Sequence, residues 1–449
     1  MPYDPSSIAD STASDHNDRA SRSRLYRSIA GPFVFNPDFL KCWFGQGVSH
    51  AGTQISLIAI PIIAAATLDA PPLALGILAA CGQLPALLFG LFAGAWLDGR
   101  RRRPVMVVSD LARAVVMLSV PAAAFFDRLS VPLLCVVLFT LGTLTIFFDI
   151  ANLSYLPSLV DRSDLVAANS RLEATASGAQ VVGPAIGGTL VGLITGPGAL
   201  LIDVGTFLVS AVALKSIRKP EPEPSISKTR EPVRARVGQG LHFVRTSPVL
   251  RALAGCSAVT NFFGYAFIAV YVAFMIRELG LSDIQIGLVF ATGGVGALIG
   301  SMLAGRCAER FGTGRTLIVA QLGFGLTGLL VPLAVVIPAF ALPLVVGAEF
   351  LQWLTLLIYA INSVSLRQRL ASDEMQGRLH ATFAVLTRGF QPLGSLLGGV
   401  VASVIGLSLT LVVSEIGMML GVLFLILSPL RHNDGSAELT TTPILEVRT

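Results

Sequence analysis

Polar and ionisable side chains recur inside long apolar stretches of this sequence, where such groups are costly to place. In four stretches they fall on one helical face, because their spacings are three and four residues. The four sets are Gln46, Ser49, His50 and Thr53; Thr145, Asp149 and Asn152; Ser257, Asn261 and Tyr265; and Glu349, Gln352 and Trp353. Whole sets of this kind could bind a polar ligand or carry protons, whereas a single Gln, Asn or Ser more often forms an interhelical hydrogen bond.

The apolar stretches are long enough to cross a membrane. Of the 449 residues, 53% are hydrophobic and 13% are charged, whereas globular domains carry about 25% charge. Runs of about 20 apolar residues suffice to span a bilayer. Twelve are predicted, at 39–66, 72–97, 104–126, 131–155, 166–194, 198–216, 249–276, 284–308, 315–337, 341–364, 377–403 and 406–428. The sequence therefore predicts an all-α polytopic membrane protein that is embedded in the lipid bilayer.

Arginine and lysine occupy alternate turns between these spans. They crowd the segment before Cys42 and the turns at Arg100–Arg103, Lys215–Arg251, Arg306–Arg315 and Arg367–Arg378. The other turns are almost free of them, with Arg128 and Arg277 as the exceptions. This alternation is the positive-inside pattern of a cell (inner) membrane protein, and it predicts that both termini are cytoplasmic. Charge so dispersed argues against nucleic-acid binding.

The chain repeats itself at an offset of 211 residues. Seven glycines of the first half fall on glycines of the second: 76, 82, 94, 178, 183, 187 and 188. A direct repeat of six spans gives two bundles of equal orientation with a cleft between them. The predicted organisation is a tail (1–37), a six-helix bundle (38–216), a linker (217–247), a second six-helix bundle (248–429) and a tail (430–449). The linker ends in Val233–Arg245, whose mixed apolar and basic residues suggest a helix at the membrane surface.

Two basic turns and a glycine cluster carry a resemblance to a known superfamily. The turns contain Gly94, Asp98, Arg102 and Arg103, and then Gly305, Glu309, Arg310 and Arg315. The cluster in the fifth span is Gly183, Pro184, Gly187 and Gly188. All three resemble signatures of the major facilitator superfamily. The segments Tyr155–Ser170 and Gly238–Arg251 are similar to its branch of macrolide-efflux proteins, siderophore exporters and a lysophospholipid carrier.

The two acids in the basic turns predict a gate. Each lies at the C-terminus of a helix, where the macrodipole repels an anion, so each needs an opposite helix end as its partner. We expect Asp98 to cap the eleventh span near 377–381 and Glu309 to cap the fifth near 166–170. Both contacts would close the cleft at the basic turns. The glycine cluster would form a closely packed, flexible gate helix, since small residues let backbones approach.

The resemblance implies that spans one, four, seven and ten line a central cavity. The predicted cavity residues are Gln46, His50, Thr53, Asp149, Asn152, Asn261, Tyr265, Glu349, Gln352, Trp353, Arg388 and Gln391. Glu349 is the first choice for proton coupling and Asp149 the second, because a coupling acid must face the cleft. Arg388 needs either a counter-charge or an anionic ligand. Asp110 and Arg113 predict a local ion pair, and Asp203 and Glu415 a shared structural role.

The function predicted is secondary transport without a cofactor, metal or catalytic residue. The leading hypothesis is a monomeric, proton-coupled exporter of an amphipathic small molecule such as a drug, macrolide or siderophore. Lysophospholipid flipping and substrate uptake by the same fold are alternatives, and a non-transporting receptor or scaffold is another class. The sequence has no GxxxxGK[ST] phosphate loop for ATP-driven pumping. It also has neither HExxH nor G-x-S-x-G, which argues against an enzyme.

Overall fold

The computed structural model describes residues 36–97, 99–161, 164–221 and 233–431. The first six spans are Pro37–Ile62 with a π-helical extension Ile63–Thr67 (span 1), Pro72–Leu97 (span 2), Arg102–Phe125 (span 3), Val131–Leu159 (span 4), Leu165–Ile194 (span 5) and Gly196–Lys215 (span 6). A linker helix, Val233–Thr246, follows. The other six are Pro248–Arg277 (span 7), Asp283–Phe311 (span 8), Thr313–Gly328 with Leu330–Val336 (span 9), Ala341–Leu370 (span 10), Asp373–Arg388 with Phe390–Ile405 (span 11), and Leu407–Leu420 with Val422–Ile426 (span 12).

The predicted fold class is confirmed. Among the described residues, eleven helices are long and apolar enough to cross a membrane. The one predicted span that is not among these eleven is span 11. It breaks at Gly389 and carries Arg388 and Gln391 beside several glycines. The predicted tails and the middle of the predicted linker, at 1–35, 222–232 and 432–449, lie outside the described residues, as do Asp98, 162 and 163.

Local sequence signals fix several helix ends. Asn36 caps span 1 by accepting hydrogen bonds from the amides of Asp38 and Phe39, and Ser282 forms a capping box with Gln285 at span 8. Gly312 and Gly406 lie in turns with φ of 82° and 84°, a conformation that favours glycine. The short turns that result keep successive spans antiparallel.

Three hydrophobic clusters show how the two bundles meet. We name the end of the molecule that carries the turns 99–101 and 312 the basic face, and the end that carries the loops 68–71 and 278–282 the far face. One cluster in the far half draws residues from both bundles, including Ile63, Leu134, Phe274 and Val345. In the basic half there are two clusters, one confined to spans 1–6 and the segment after them, the other to the linker helix and spans 7–12. The bundles are therefore joined in the far half, and the cleft between them opens toward the basic face.

Each end of the linker is attached to its own bundle. The carboxylate of Glu221 accepts from the amides of Arg102 (2.5 Å) and Arg103 (3.2 Å), and so caps the N-terminus of span 3. At the other end, Gly240 lies against Thr382 and the carbonyl of Arg378 on span 11. Phe243 and Val244 of the linker helix are buried in the second bundle. The C-terminal half of the linker helix thus packs on protein.

Candidate functional site

The wall that the first bundle gives to the cleft carries exposed ionisable side chains. His50 of span 1 and Asp149 of span 4 are both exposed, and the two side chains are within electrostatic range of each other. Asp149 is also within range of Arg113 and Arg388. Exposed ionisable groups near the middle of spans are tolerated where water fills a cavity. The geometry therefore places His50 and Asp149 on a polar cleft surface.

The neighbouring amides of the same wall bind each other. Gln46 donates to Asn152 Oδ1 at 2.5 Å, and Asn152 donates back to Gln46 Oε1 at 3.0 Å, which joins span 1 to span 4. Thr53 is half-buried, and its hydroxyl donates to the carbonyl of Ser49 at 3.0 Å. These side chains are satisfied within the bundle, so they hold the wall together while His50 and Asp149 face the cleft.

The second bundle contributes an aromatic and basic wall. Gln391 Nε2 donates to Asn261 Oδ1 at 3.0 Å, joining span 11 to span 7. Tyr265, one turn beyond Asn261, is half-buried and within electrostatic range of Arg388. Trp353 is 40% exposed and Arg388 is exposed as well. The two walls are thus unlike, with an acid on the first and a guanidinium on the second.

Glu349 lies behind Trp353 and not on the open cleft surface. Its side chain is only 3% exposed. Oε1 accepts from Trp353 Nε1 at 2.8 Å, and Oε2 accepts from the hydroxyl of Tyr271 in span 7 at 2.9 Å. Gly293 of span 8 makes room for this arrangement, since a β-carbon there would come within 3.0 Å of both Trp353 and Glu349. The indole therefore connects a buried carboxyl group to the cleft.

A second buried acid lies beside the first. Glu415 of span 12 is fully buried, and its Oε1 accepts from Gln352 Nε2 at 2.8 Å. Its Oε2 has no hydrogen-bond partner among the described residues. Gly328 of span 9 leaves the space in which Glu415 and Gln352 meet. Within the described part of the chain, neither Glu349 nor Glu415 forms a salt bridge, so the second bundle holds two buried acids without a base.

The first bundle holds a buried ion pair and an acid bound by hydroxyl groups. Arg113 Nη2 lies 2.6 Å from Asp110 Oδ1, so the predicted local ion pair is present. The guanidinium also stacks on Phe148 and Phe207, with its central carbon 4.2 and 4.9 Å from the ring centroids. Asp203 accepts from Ser56 of span 1 and, at 3.0 Å, from Thr206. Asp203 and Glu415, which nearly coincide in the repeat, therefore join different pairs of spans.

The predicted gate residues fall at the separated, basic ends of the bundles. Asp98 lies outside the described residues, and Glu309 is exposed at the end of span 8. Arg103 donates to the carbonyls of Leu214 (3.0 Å) and Lys215 at the end of span 6. The remaining members of the two turns, Gly94, Arg102, Gly305, Arg310 and Arg315, belong to spans 2, 3, 8 and 9.

Two glycine crossings close the far half of the cleft. Gly188 of span 5 packs against Gly287 of span 8, and Gly76 of span 2 packs against Gly399 of span 11. Gly183 and Gly187, in the same motif as the buried Pro184, instead pack against Gln54 and Ile55 of span 1. The glycine motif of span 5 thus packs against span 1 of its own bundle and against span 8 of the other bundle.

A basic residue adds a contact between the bundles at the far face. Arg277, at the end of span 7, donates to the carbonyl of Ala65 in the π-helical end of span 1 (3.0 Å) and to that of Ala70 in the following loop (2.8 Å). It also lies 3.0 Å from Asp69 Oδ1. Arg277 therefore caps the C-terminal end of a helix in the other bundle.

Sequence reasoning missed Tyr271 and Glu221. It also missed the partner that Arg277 contacts in the other bundle. Tyr271 lies six residues beyond Tyr265 and so off the polar face of span 7. Glu221 stood in a proline-rich stretch that gave no indication of a cap. One sequence signal pointed to Arg277, because it stands beside a turn that the alternation of basic turns would leave without arginine or lysine.

Comparisons with known proteins identify relatives along nearly the whole chain. A family model described as transmembrane secretion effector matches residues 30–447. The chain is 29% identical over 411 residues to the multidrug efflux pump Tap of Mycolicibacterium fortuitum, covering 87% of this chain and 96% of that protein. It is 27% identical over 354 residues to the enterobactin exporter EntS of Salmonella choleraesuis, covering 74% and 82%.

Solved structures support the fold. A bacterial homologue of the iron transporter ferroportin in an inward-facing state matches with a TM-score of 0.66 at 17% identity, covering 87% of this chain and 98% of that one. The nucleoside transporter NupG matches with a TM-score of 0.69 at 10% identity, covering 87% and 98%. At these identities the likeness concerns the two-bundle fold alone.

Proposed function

Since the chain belongs to the transmembrane secretion effector family of the major facilitator superfamily, a group of membrane transporters and not of enzymes, we propose that it is a proton-coupled exporter of amphipathic small molecules. It works by alternating access in the cell (inner) membrane. The basic face lies in the cytoplasm, a placement that the distribution of arginine and lysine favours. The conformation described, with its cleft open at the basic face, is then the state that admits substrate from the cytoplasm.

The observation that carries the proposal is the buried position of Glu349. A carboxylate taken out of water without a cationic partner costs several kcal/mol, so burial favours the protonated form. In this conformation Glu349 is sealed from the cleft by Trp353, and Tyr271 lies on its other side. An acid that is sealed in one state and reached by water in the other is what proton coupling needs.

The hydrogen bonds of Glu349 provide the link to substrate. An ionised carboxylate accepts from both Tyr271 and Trp353, whereas a protonated one must donate through one oxygen. Protonation therefore weakens or redirects one of the two bonds. Because Trp353 is partly exposed on the cleft wall, a bound substrate that packs against the indole responds to the protonation state of Glu349.

The cleft surface supports an amphipathic substrate. It combines the Trp353 indole with the polar groups of His50, Asp149, Asn261 and Tyr265. Asp149 is exposed in the cleft and is the second acid proposed for coupling. The two relatives, a multidrug efflux pump and an enterobactin exporter, support export of small molecules.

Inside-out membrane vesicles test this function. The full chain is expressed in a bacterial host that lacks its own multidrug exporters, and the anionic dye fluorescein and the cationic dye rhodamine 6G are offered from outside. We expect accumulation against the dye gradient when respiration energises the vesicles, and loss of that accumulation on adding an uncoupler. Accumulation only in right-side-out vesicles would indicate uptake instead. Translocation that is insensitive to the uncoupler would contradict proton coupling.

A further inference from the structure

Arg388 lies on the face of span 11 that meets the first bundle. It precedes Pro392, Ser395 and Gly399 at helical spacings of four, three and four, so all four share one side of the helix. Pro392, Ser395 and Gly399 are buried, and Gly399 packs against Gly76 of span 2. Arg388 itself is exposed. It is exposed because the bundles, joined at Gly399, diverge toward the basic face, so its side chain belongs to the cleft.

Among the described residues, the guanidinium of Arg388 has no partner. Across the described residues it makes no hydrogen bond and no salt bridge. Asp149 is within electrostatic range, but it belongs to the opposite bundle, beyond ion-pair distance. Arg388 stands about midway along Asp373–Ile405; water in the open cleft solvates it there, but a cleft that closes around it would leave an unpaired charge at the depth of the bilayer core. An arginine at this depth without a carboxylate partner therefore indicates a binding site for an anion.

We propose that Arg388 binds an anionic group of the transported molecule, such as a carboxylate, sulfonate or phosphate. The planar guanidinium can bind such groups through two parallel hydrogen bonds. Tyr265 lies within range of Arg388, and the Gln391–Asn261 bond holds the adjacent turn against span 7. The inference rests on the proposed transport function and narrows its substrate class to amphiphiles that carry an anionic group.

The repeat indicates that the site is single. The position that corresponds to Arg388 in the first bundle, 211 residues earlier, is Ser177, which is exposed on span 5. Ser177 stands before the buried Pro184 and Gly188 as Arg388 stands before Ser395 and Gly399. One wall therefore offers a hydroxyl and the other a guanidinium at equivalent places. Only the second can orient an anion strongly.

Two related dyes test the proposal on the full chain in nanodiscs of phosphatidylcholine. Fluorescein is an anionic xanthene and rhodamine 123 a cationic one, so their ring systems match while their charges differ. Binding is measured by fluorescence anisotropy for the wild type, Arg388→Gln and Arg388→Lys. We expect Arg388→Gln to weaken fluorescein binding by about tenfold or more and rhodamine binding by less than about twofold. Arg388→Lys should keep part of the fluorescein affinity, because lysine keeps the positive charge but lacks the planar pair of N–H donors of the guanidinium.

Arg128→Gln serves as the control for net charge, because Arg128 is an exposed residue of a far-face loop. It should bind both dyes as the wild type does. Equal fluorescein binding by the wild type and Arg388→Gln, or a wild type that binds only rhodamine, would overturn the proposal. Competition by added phosphatidylglycerol in the wild type but not in Arg388→Gln would assign Arg388 to a lipid headgroup and would overturn it too.

A failure of the anion-site proposal and a failure of the transport proposal give different experimental results. Arg388-dependent fluorescein binding without uphill dye accumulation in vesicles would leave the anion site intact and remove the exporter function. Uncoupler-sensitive export with dye binding that ignores Arg388 would leave the function intact and remove the anion site.

Discussion

Gly76 of span 2 lies against Gly399 of span 11 with no side chain between the two backbones. A β-carbon at Gly76 would come within 2.7 Å of the Gly399 α-carbon. The positions 211 residues away, Gly287 and Gly188, form the same contact between spans 8 and 5. The sequence repeat is therefore a structural repeat, and its two halves close the far face with one pair of symmetric crossings.

Valine at Gly76 or at Gly287 should force the far face apart. The β-carbon would meet backbone atoms that cannot rotate away, so the conformation open at the far face gains population and transport falls by about tenfold or more. Spin labels at Arg128 and Ala339 of a cysteine-free variant, one on each bundle, report the change as a longer distance.

Gly82→Val is the matched control on span 2, since a β-carbon there meets nothing within 4 Å. It should leave the distance between the labels unchanged. An unchanged distance in Gly76→Val and Gly287→Val as well would show that these crossings do not hold the far face closed.

Arg277→Gln should weaken the same closure from another side. The substitution removes charge-assisted hydrogen bonds to the Ala65 and Ala70 carbonyls, and a bond to a charged group contributes about 1.5–3 kcal/mol. The far-face-open population should then rise by about tenfold or more. Asp69→Asn is the comparison, and it should have little effect because Asp69 is 90% exposed and a surface ion pair contributes about 0–1 kcal/mol. Equal effects of the two variants in the same label experiment would contradict the carbonyl capping.

The fold followed from the sequence more fully than the site did. Span number, bundle organisation and repeat all depend on patterns along one chain, and the predicted ends of span 2, 72–97, coincide with Pro72–Leu97. Glu349 was expected to face the cleft, as the face it shares with Trp353 implied. Its burial depends on Gly293 and Tyr271, which belong to other spans and enter only through packing. Periodicity within one helix cannot show which neighbour covers a residue.

The predicted gate concerns the basic face in its closed form. Glu309 is exposed while the cleft is open, and in the closed state we expect it to cap span 5. A carboxylate at a helix N-terminus contributes about 0.3–1 kcal/mol or more when partly buried. Glu309→Gln and Asp98→Asn should therefore slow transport by a few-fold while expression stays normal. Normal turnover in both variants, measured as initial rates of dye export, would argue against the capping.

Labelling of single cysteines tests the orientation of the chain. A cysteine at Ser227, in the part of the linker outside the described residues, should react with an impermeant maleimide only after the cells are permeabilised. A cysteine at Ala339, in a far-face loop, should react in intact cells. Labelling of Ser227→Cys in intact cells, or protection of Ala339→Cys, would invert the topology.

The most direct test of the account is uphill transport by Glu349→Gln. Glutamine keeps the shape of the side chain and its acceptor for Tyr271 or Trp353, but it cannot exchange a proton. We predict that this variant binds the transported dye within about threefold of the wild-type affinity and exchanges it between vesicle compartments, yet no longer accumulates it in energised inside-out vesicles. Asp127→Asn, which removes an exposed carboxylate from a far-face loop, should still accumulate the dye. Uphill, uncoupler-sensitive accumulation by Glu349→Gln at the wild-type rate would contradict the assignment of Glu349 as the coupling acid.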